Sequence, residues 1–235
     1  MCARYTIRRR LNELAEQWRA RMGPGMDLFV ARYNIAPSQP VPVIARDERG
    51  ESVLRLMRWG LVPHWAKDPS MGSRLINARI ESVREKPSFR DAVKYRRCLI
   101  PADGFYEWTS GAGGKRQPYF IHLPDDGMLA FAGLWEHWQD AQGNELEICV
   151  ILTTVANEVV RPLHDRMPVI VDPPSGAAWL HASSPDEALA AIHAAKGAAK
   201  LVMHAVNPLV NRPTVDDPRC VEPWQQDSGD EIKLF

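Results

Sequence analysis

The chain lacks most of the features that mark a function at first sight. It has 29 basic and 29 acidic side chains in 235 residues, a formal net charge of zero, so no global field singles out a polyanionic partner. It has only four cysteines, at 2, 98, 149 and 220. None forms a C-x-x-C pair, which argues against a zinc site and a thioredoxin-like redox motif. No apolar run approaches the ~20 residues needed to span a membrane. Wide cysteine spacing and the lack of a signal-like leader predict a reducing, cytoplasmic setting. Glycines cluster at Gly111-Ala112-Gly113-Gly114, but no helix opening on Lys-Ser/Thr follows, which excludes a phosphate loop. There is no internal repeat and no low-complexity linker. The reading therefore calls for no metal, no cofactor and no membrane.

With 45% hydrophobic residues, the chain can build a sizeable core. Cys98 and Cys149 sit inside apolar runs and read as small buried hydrophobes. Leu11, Leu14, Ala15 and Trp18 recur at helical spacing and predict a helix over about 8–21, stopped by Gly23-Pro24-Gly25. Arg32 to Pro40 is proline-rich and must be extended or turned. Residues 41–45 and 53–59 predict a hairpin turning at Asp47–Gly50, and a helical stretch follows Asn77-Ala78-Arg79. Two strands meet at a corner at Asp103-Gly104, and Gly111–Gly114 tips a hairpin that returns through Pro118–His122. Strands are predicted at 128–135, 146–152, 169–171 and 201–206, with a short helix from Thr153 to Val160. Ser184-Pro185-Asp186-Glu187 starts a helix running to about Lys196. Hairpin-linked strands dominate, which predicts an α+β fold: one domain with a curved, barrel-like antiparallel β core and peripheral helices. The domain spans 1–224 and a polar tail covers 225–235.

Several residues carry chemistry. Cys2 is either an accident beside the start or, once Met1 is removed, an aminothiol. Its α-amine, with a pKa of about 7.7–8.0, is partly neutral at pH 7. With the thiol, it can condense with an aldehyde, first as a Schiff base and then as a five-membered thiazolidine. Glu107 lies among Phe105, Tyr106 and Trp108. It either points to water from an edge strand or sits in an apolar place that raises its pKa toward acid–base use. His164, between Pro162 and Pro168, is structural or a stiffly mounted proton carrier. Trp65 is a core anchor or a stacking surface for a base. From Arg74 to Arg97 eight basic residues face three acidic ones, whereas 214–235 holds six acidic and two basic. The basic run is a local groove or a solvated face.

Six blocks occur in order: Met1-Cys2-x-Arg4-Tyr5, Arg32-Tyr33-Asn34-Ile35-Ala36-Pro37, Arg58-Trp59-Gly60-Leu61-Val62-Pro63, Asn77-Ala78-Arg79-Ile80-Glu81, Arg97 to Trp108, and His164-Asp165-Arg166-Met167-Pro168. Together they resemble the SRAP family, the SOS-response-associated peptidases also called abasic-site processing proteins. The resemblance covers about residues 2–224. It implies a monomeric, cytoplasmic protein, nucleoid-associated when bound to DNA, with a basic groove for single-stranded DNA. It implies autoproteolytic removal of Met1 and stoichiometric, lyase-like capture of abasic sites as a thiazolidine on Cys2 during DNA repair. By the same resemblance, Asn77 orients Cys2 and the sugar, Glu107 is the general acid–base and His164 the proton shuttle. Arg4, Arg79 and Arg74 position DNA alongside Pro37 and Asn34, and Trp65 stacks on a base. Two positions depart from the pattern: Ala3 replaces a usual glycine, and Ala66 stands where a second aromatic is common. The alternatives are a turning-over thiol peptidase using Cys2 and a plain single-stranded-DNA-binding module.

Overall fold

Strand pairing in the computed structural model, which describes residues 2–66, 68–109, 116–194 and 200–225, closes a small barrel. In chain order the elements are β1 (Tyr5–Ile7), α1 (Leu11–Gln17), β2 (Arg21–Met22), β3 (Arg32–Ile35), β4 (Pro40–Arg46), β5 (Ser52–Trp59), β6 (Asn77–Arg79), α2 (Ala92–Tyr95) and β7 (Arg97–Ala102). There follow β8 (Gly104–Trp108), β9 (Pro118–His122), β10 (Leu129–Gln139), β11 (Glu145–Val155), β12 (Arg166–Pro168), β13 (Ile170–Val171), α3 (Pro173–His181), α4 (Pro185–Ala194) and β14 (Val202–Ala205). Antiparallel pairings run β11–β10–β7–β4–β5, and a parallel pairing of β5 with β11, Arg58 to Ile148 and Trp59 to Cys149, joins the ends. The expected barrel-like core is therefore a closed five-stranded barrel, with one parallel seam in an otherwise antiparallel ring.

Register fixes which residues face inward, because paired residues share a face and alternate residues swap faces. One ring holds Ala45, Val53, Trp59, Cys98, Gly133, Trp135, Cys149 and Ile151. Five strands leave little room inside, and small residues supply it. A Cβ on Gly133 would stand 2.2 Å from Ile100 Cδ1 and 2.8 Å from the Val150 carbonyl oxygen. Leu99 and Leu134 lie on the outer face, where α1 and α3 cover the barrel; Trp18 and Leu99 both crowd against Gly176 of α3.

A second sheet, ordered β14-β9-β8-β1-β3, covers one mouth of the barrel. Tyr5 of β1 enters that mouth edge-on to Trp59 and Phe131, with ring centroids 5.2 and 5.8 Å away. Phe105 of β8 meets Phe131 at 6.0 Å. Burial of rings of this size stabilises by roughly 1.5–3 kcal/mol each, so β1 is held by the core itself. The opposite mouth is bounded by Arg55, which lies over the Trp135 ring at 4.7 Å and pairs with Glu147 at 2.9 Å.

Several local expectations change. The first helix is shorter than 8–21, ending at Gln17, because residues 21–22 pair with β5. Thr153 and Thr154 do not start a helix: β11 continues to Val155, where β12 gives it a partner. The segment after Arg79 makes a single 3-10 turn, Ile80–Ser82, before α2. Helix α3 was not foreseen; its Asp172-Pro173-Pro174-Ser175 start is a side-chain N-cap, Asp172 accepting from the Ser175 N–H at 2.9 Å. The 111–114 hairpin tip, the end of the predicted helix at 195–196 and the tail beyond Gln225 lie outside the described residues.

Candidate functional site

The plugged mouth carries the predicted catalytic residues. Cys2 is fully buried, three residues before Tyr5. Asp103 secures this leg of chain: its carboxylate accepts from the Thr6 hydroxyl and from the N–H of Arg8, and Arg8 Nε lies 3.1 Å away. Asn77 Nδ2 donates to the Cys2 carbonyl at 2.8 Å. Its strand is fixed in turn, because the Trp59 indole donates to the Ile76 carbonyl at 2.9 Å and β6 pairs in parallel with β11. Asn77 Oδ1 is buried and has no donor among the described residues.

Glu107 is 3% exposed and lies on the face of β8 shared with Phe105, toward the mouth. Burial pushes its carboxyl up to about 7, against the pull of the chain's positive amino terminus. Burial also pushes the Cys2 thiol up, and the Glu107 carboxylate pushes it further. At neutral pH the sulfur is therefore a thiol. His164 is half-buried, and its pKa is lowered by burial and then by the same amino terminus. One positive group thus acts on both Glu107 and His164, and the site brings Cys2, Asn77, Glu107 and His164 together.

The predicted DNA-binding residues divide into two sets. Trp65, Arg74 and Arg79 are exposed and Pro37 is half-buried; the loops of Pro37, Trp65 and Arg74 all flank the Trp59 end of β5. Trp65 is 52% exposed and so is not a core anchor. Its loop is nevertheless fixed. Gly60, at φ 130°, passes so near Gly72 that a Cβ would lie 2.5 Å from the Gly72 carbonyl oxygen, and the Trp138 indole donates to Ala66 O at 2.7 Å. Arg4 and Asn34 instead occupy the reverse face of the sheet. Arg4 donates to Asn34 Oδ1 at 3.0 Å and to Val210 O at 2.8 Å. Asn34 is fully buried, and its Nδ2 lies 2.7–3.1 Å from the carbonyls of Val215, Arg212 and Val210. This arrangement splints β3 to the 207–216 segment.

The basic run is divided as well. Arg84 pairs with Asp186, Arg96 with Glu136, and Lys94 lies 3.8 Å from Asp91. Arg97 is buried and donates to carbonyls at the ends of α2 and α3, capping both. Arg74, Arg79, Lys86 and Arg90 make no ion pair among the described residues. Ala3 does not adopt a positive φ, so its backbone conformation does not call for glycine. Ala66 is buried in a small cluster with Val62, Trp138 and Ile148.

Two charged residues inside the quoted blocks were not singled out as site residues. Glu81 and Arg166 form a bidentate pair at 2.8 and 2.9 Å, and Arg166 also donates to Thr153 O at 2.6 Å. Only their shared presence in the Asn77 and His164 blocks hints at them. A cavity of about 1070 Å³ opens at the other mouth beside Arg55, Trp135 and Glu147, and none of the predicted residues lines it. Among the described residues, no cluster of three His, Cys, Asp or Glu could hold a metal ion, and no helix is long and apolar enough to cross a membrane.

Comparison with known proteins identifies relatives of the chain. The chain is 38% identical over 223 residues to the abasic site processing protein YoqW of Bacillus subtilis, covering 94% of this chain and 99% of that one. It is 35% identical over 234 residues to the abasic site processing protein HMCES of Gallus gallus, covering 86% and 68%. A crystal structure of a protein from Bacteroides thetaiotaomicron shares the fold at a TM-score of 0.82 and 23% identity, covering 95% of this chain and all of that one. The model of the SOS response associated peptidase (SRAP) family matches residues 1–213, and the chain belongs to that family.

Proposed function

We propose that this protein captures abasic sites in single-stranded DNA through Cys2 after removal of Met1. The observation that carries the reading is the meeting of Cys2, Asn77, a Glu107 carboxyl near 7 and His164 at one barrel mouth. The neutral Cys2 amine attacks the C1′ aldehyde of the ring-opened sugar to give a carbinolamine. An acid protonates its hydroxyl, which leaves as water, and a Schiff base remains. The thiol then adds to the imine carbon and its proton passes to nitrogen, closing the thiazolidine. The sum is aldehyde plus aminothiol giving thiazolidine plus water.

Glu107, half-protonated near pH 7, can both give and take protons in these steps. Asn77 fixes the Cys2 carbonyl and offers its buried Oδ1 to the amine. Arg74, Arg79 and Trp65 hold the strand, with Pro37 at the rim. Arg4 and Asn34 serve indirectly, by fixing the sheet that carries Cys2. The protonated state of the buried thiol favours this amine-first route over a turning-over thiol peptidase, which needs a thiolate.

The test incubates processed protein with single-stranded DNA carrying one abasic site, followed by a denaturing gel. One heat-stable adduct per protein is expected, absent in Cys2→Ser and in protein whose intact mass shows retained Met1. Many cleaved peptides per protein would support the peptidase instead. Salt-sensitive binding without an adduct would support a plain binding module.

A further inference from the structure

The Glu81–Arg166 pair has no part in the chemistry above, yet it bridges two legs of the site. Glu81 lies four residues after Asn77, and Arg166 two residues after His164. The Arg166 guanidinium is almost wholly buried. It grips both Glu81 oxygens and the Thr153 carbonyl of β11, while β12 pairs with the same strand at Val155. A bidentate Arg–carboxylate pair is directional as well as strong. It therefore fixes the spacing between the Asn77 and His164 segments.

The same residue reaches the imidazole through its backbone: the Arg166 N–H donates to His164 Nδ1 at 2.9 Å. A nitrogen that accepts this bond carries no proton, so the neutral ring holds its hydrogen on Nε2. Asp165 Oδ1 lies 2.7 Å from the same Nδ1. One nitrogen cannot accept from Arg166 and donate to Asp165 at once. The two contacts are alternatives: the Arg166 N–H suits the Nε2–H ring, and Asp165 suits any ring with a proton on Nδ1. The charged groups acting on His164 are Asp165 and Arg166 of its own segment and the chain's amino terminus. Asp165 also acts on Glu107.

We propose that the Glu81–Arg166 pair is a positioning device that keeps the Arg166 N–H on His164 Nδ1, so that the resting imidazole presents Nε2–H to the substrate. This deepens the capture reading and rests on it for its consequence. At rest, His164 hydrogen-bonds the sugar oxygen. Once protonated, it turns Nδ1–H to Asp165 and can give up the Nε2 proton.

The test uses full-length protein labelled with 15N-histidine, with His164→Gln to assign the ring signals. Two-bond 1H–15N spectra should show neutral His164 as the Nε2–H tautomer in wild type. In Glu81→Gln, an Nδ1–H population should appear, and the rate of adduct formation should fall at least about fivefold, roughly 1 kcal/mol of barrier. Glu81→Asp, which keeps the carboxylate, should recover part of both. A wild-type Nδ1–H tautomer, or a Glu81→Gln protein with unchanged tautomer and rate, would overturn the inference. If wild type forms no adduct, the capture reading fails, while the tautomer spectra still decide what holds the ring.

Discussion

Glu107→Gln is the most informative single change, because its effect on stability depends on pH. The wild-type carboxyl titrates near 7 in the folded protein against an ordinary value of 4.5, chiefly through burial. Between those values the folded state holds a proton that the unfolded chain has released. Wild-type stability therefore falls as pH rises through this window, and the full loss above pH 7 is about 3 kcal/mol. Glutamine cannot ionise, so the variant escapes the loss. Any fixed cost of the amide is the same at every pH, and the change in the difference between the two proteins isolates the carboxyl. Between pH 5 and pH 8 the variant should gain about 2–3 kcal/mol on wild type. For a chain of this size that corresponds to about 5–10 °C in melting temperature. Urea denaturation or calorimetry of both proteins at the two pH values measures it. The same variant should lose adduct formation. A stability difference that stays constant from pH 5 to pH 8 would refute the buried-carboxyl argument and remove Glu107 as an acid near neutrality.

Capture should follow a bell-shaped pH profile, since the amine must be neutral while an acid remains protonated; single-turnover adduct rates check this. Trp65→Ala should weaken binding to single-stranded DNA by about 1–3 kcal/mol in a fluorescence titration, with an unchanged melting temperature because the ring is half exposed. Asn34→Ala should instead cost about 1–3 kcal/mol of stability, read by urea denaturation, because its amide holds the 207–216 segment. Gly133→Ala should cost about 1–3 kcal/mol by crowding Ile100 inside the barrel.

Local chemistry was legible wherever neighbours in sequence decide it. The β4–β5 hairpin turns where Asp47 and Gly50 place it, with the Gly50 N–H on the Asp47 carbonyl at 3.0 Å. The Glu107 environment followed from its aromatic flanks. The parallel β5–β11 seam did not, because it joins residues about ninety positions apart and leaves no periodic trace. Nor did the fate of Thr153-Thr154, which depends on Met167 and Pro168 arriving as partners. Composition left the basic run from Arg74 to Arg97 open between a groove and a solvated face, because it cannot say that Arg84, Arg96 and Arg97 serve helices and strands. Asn34 misled for a similar reason, since a buried amide bonded to backbone carbonyls cannot be told from an exposed one in a list of letters.

The insertion of Tyr5 into the barrel has a mechanical corollary. A strand attached at Cys2 would be tethered three residues from a ring wedged between Trp59 and Phe131. Tension on the DNA would pass within three residues into the packing of the Tyr5 ring against Trp59 and Phe131. A protease clearing such a conjugate would meet that end of the chain buried rather than free.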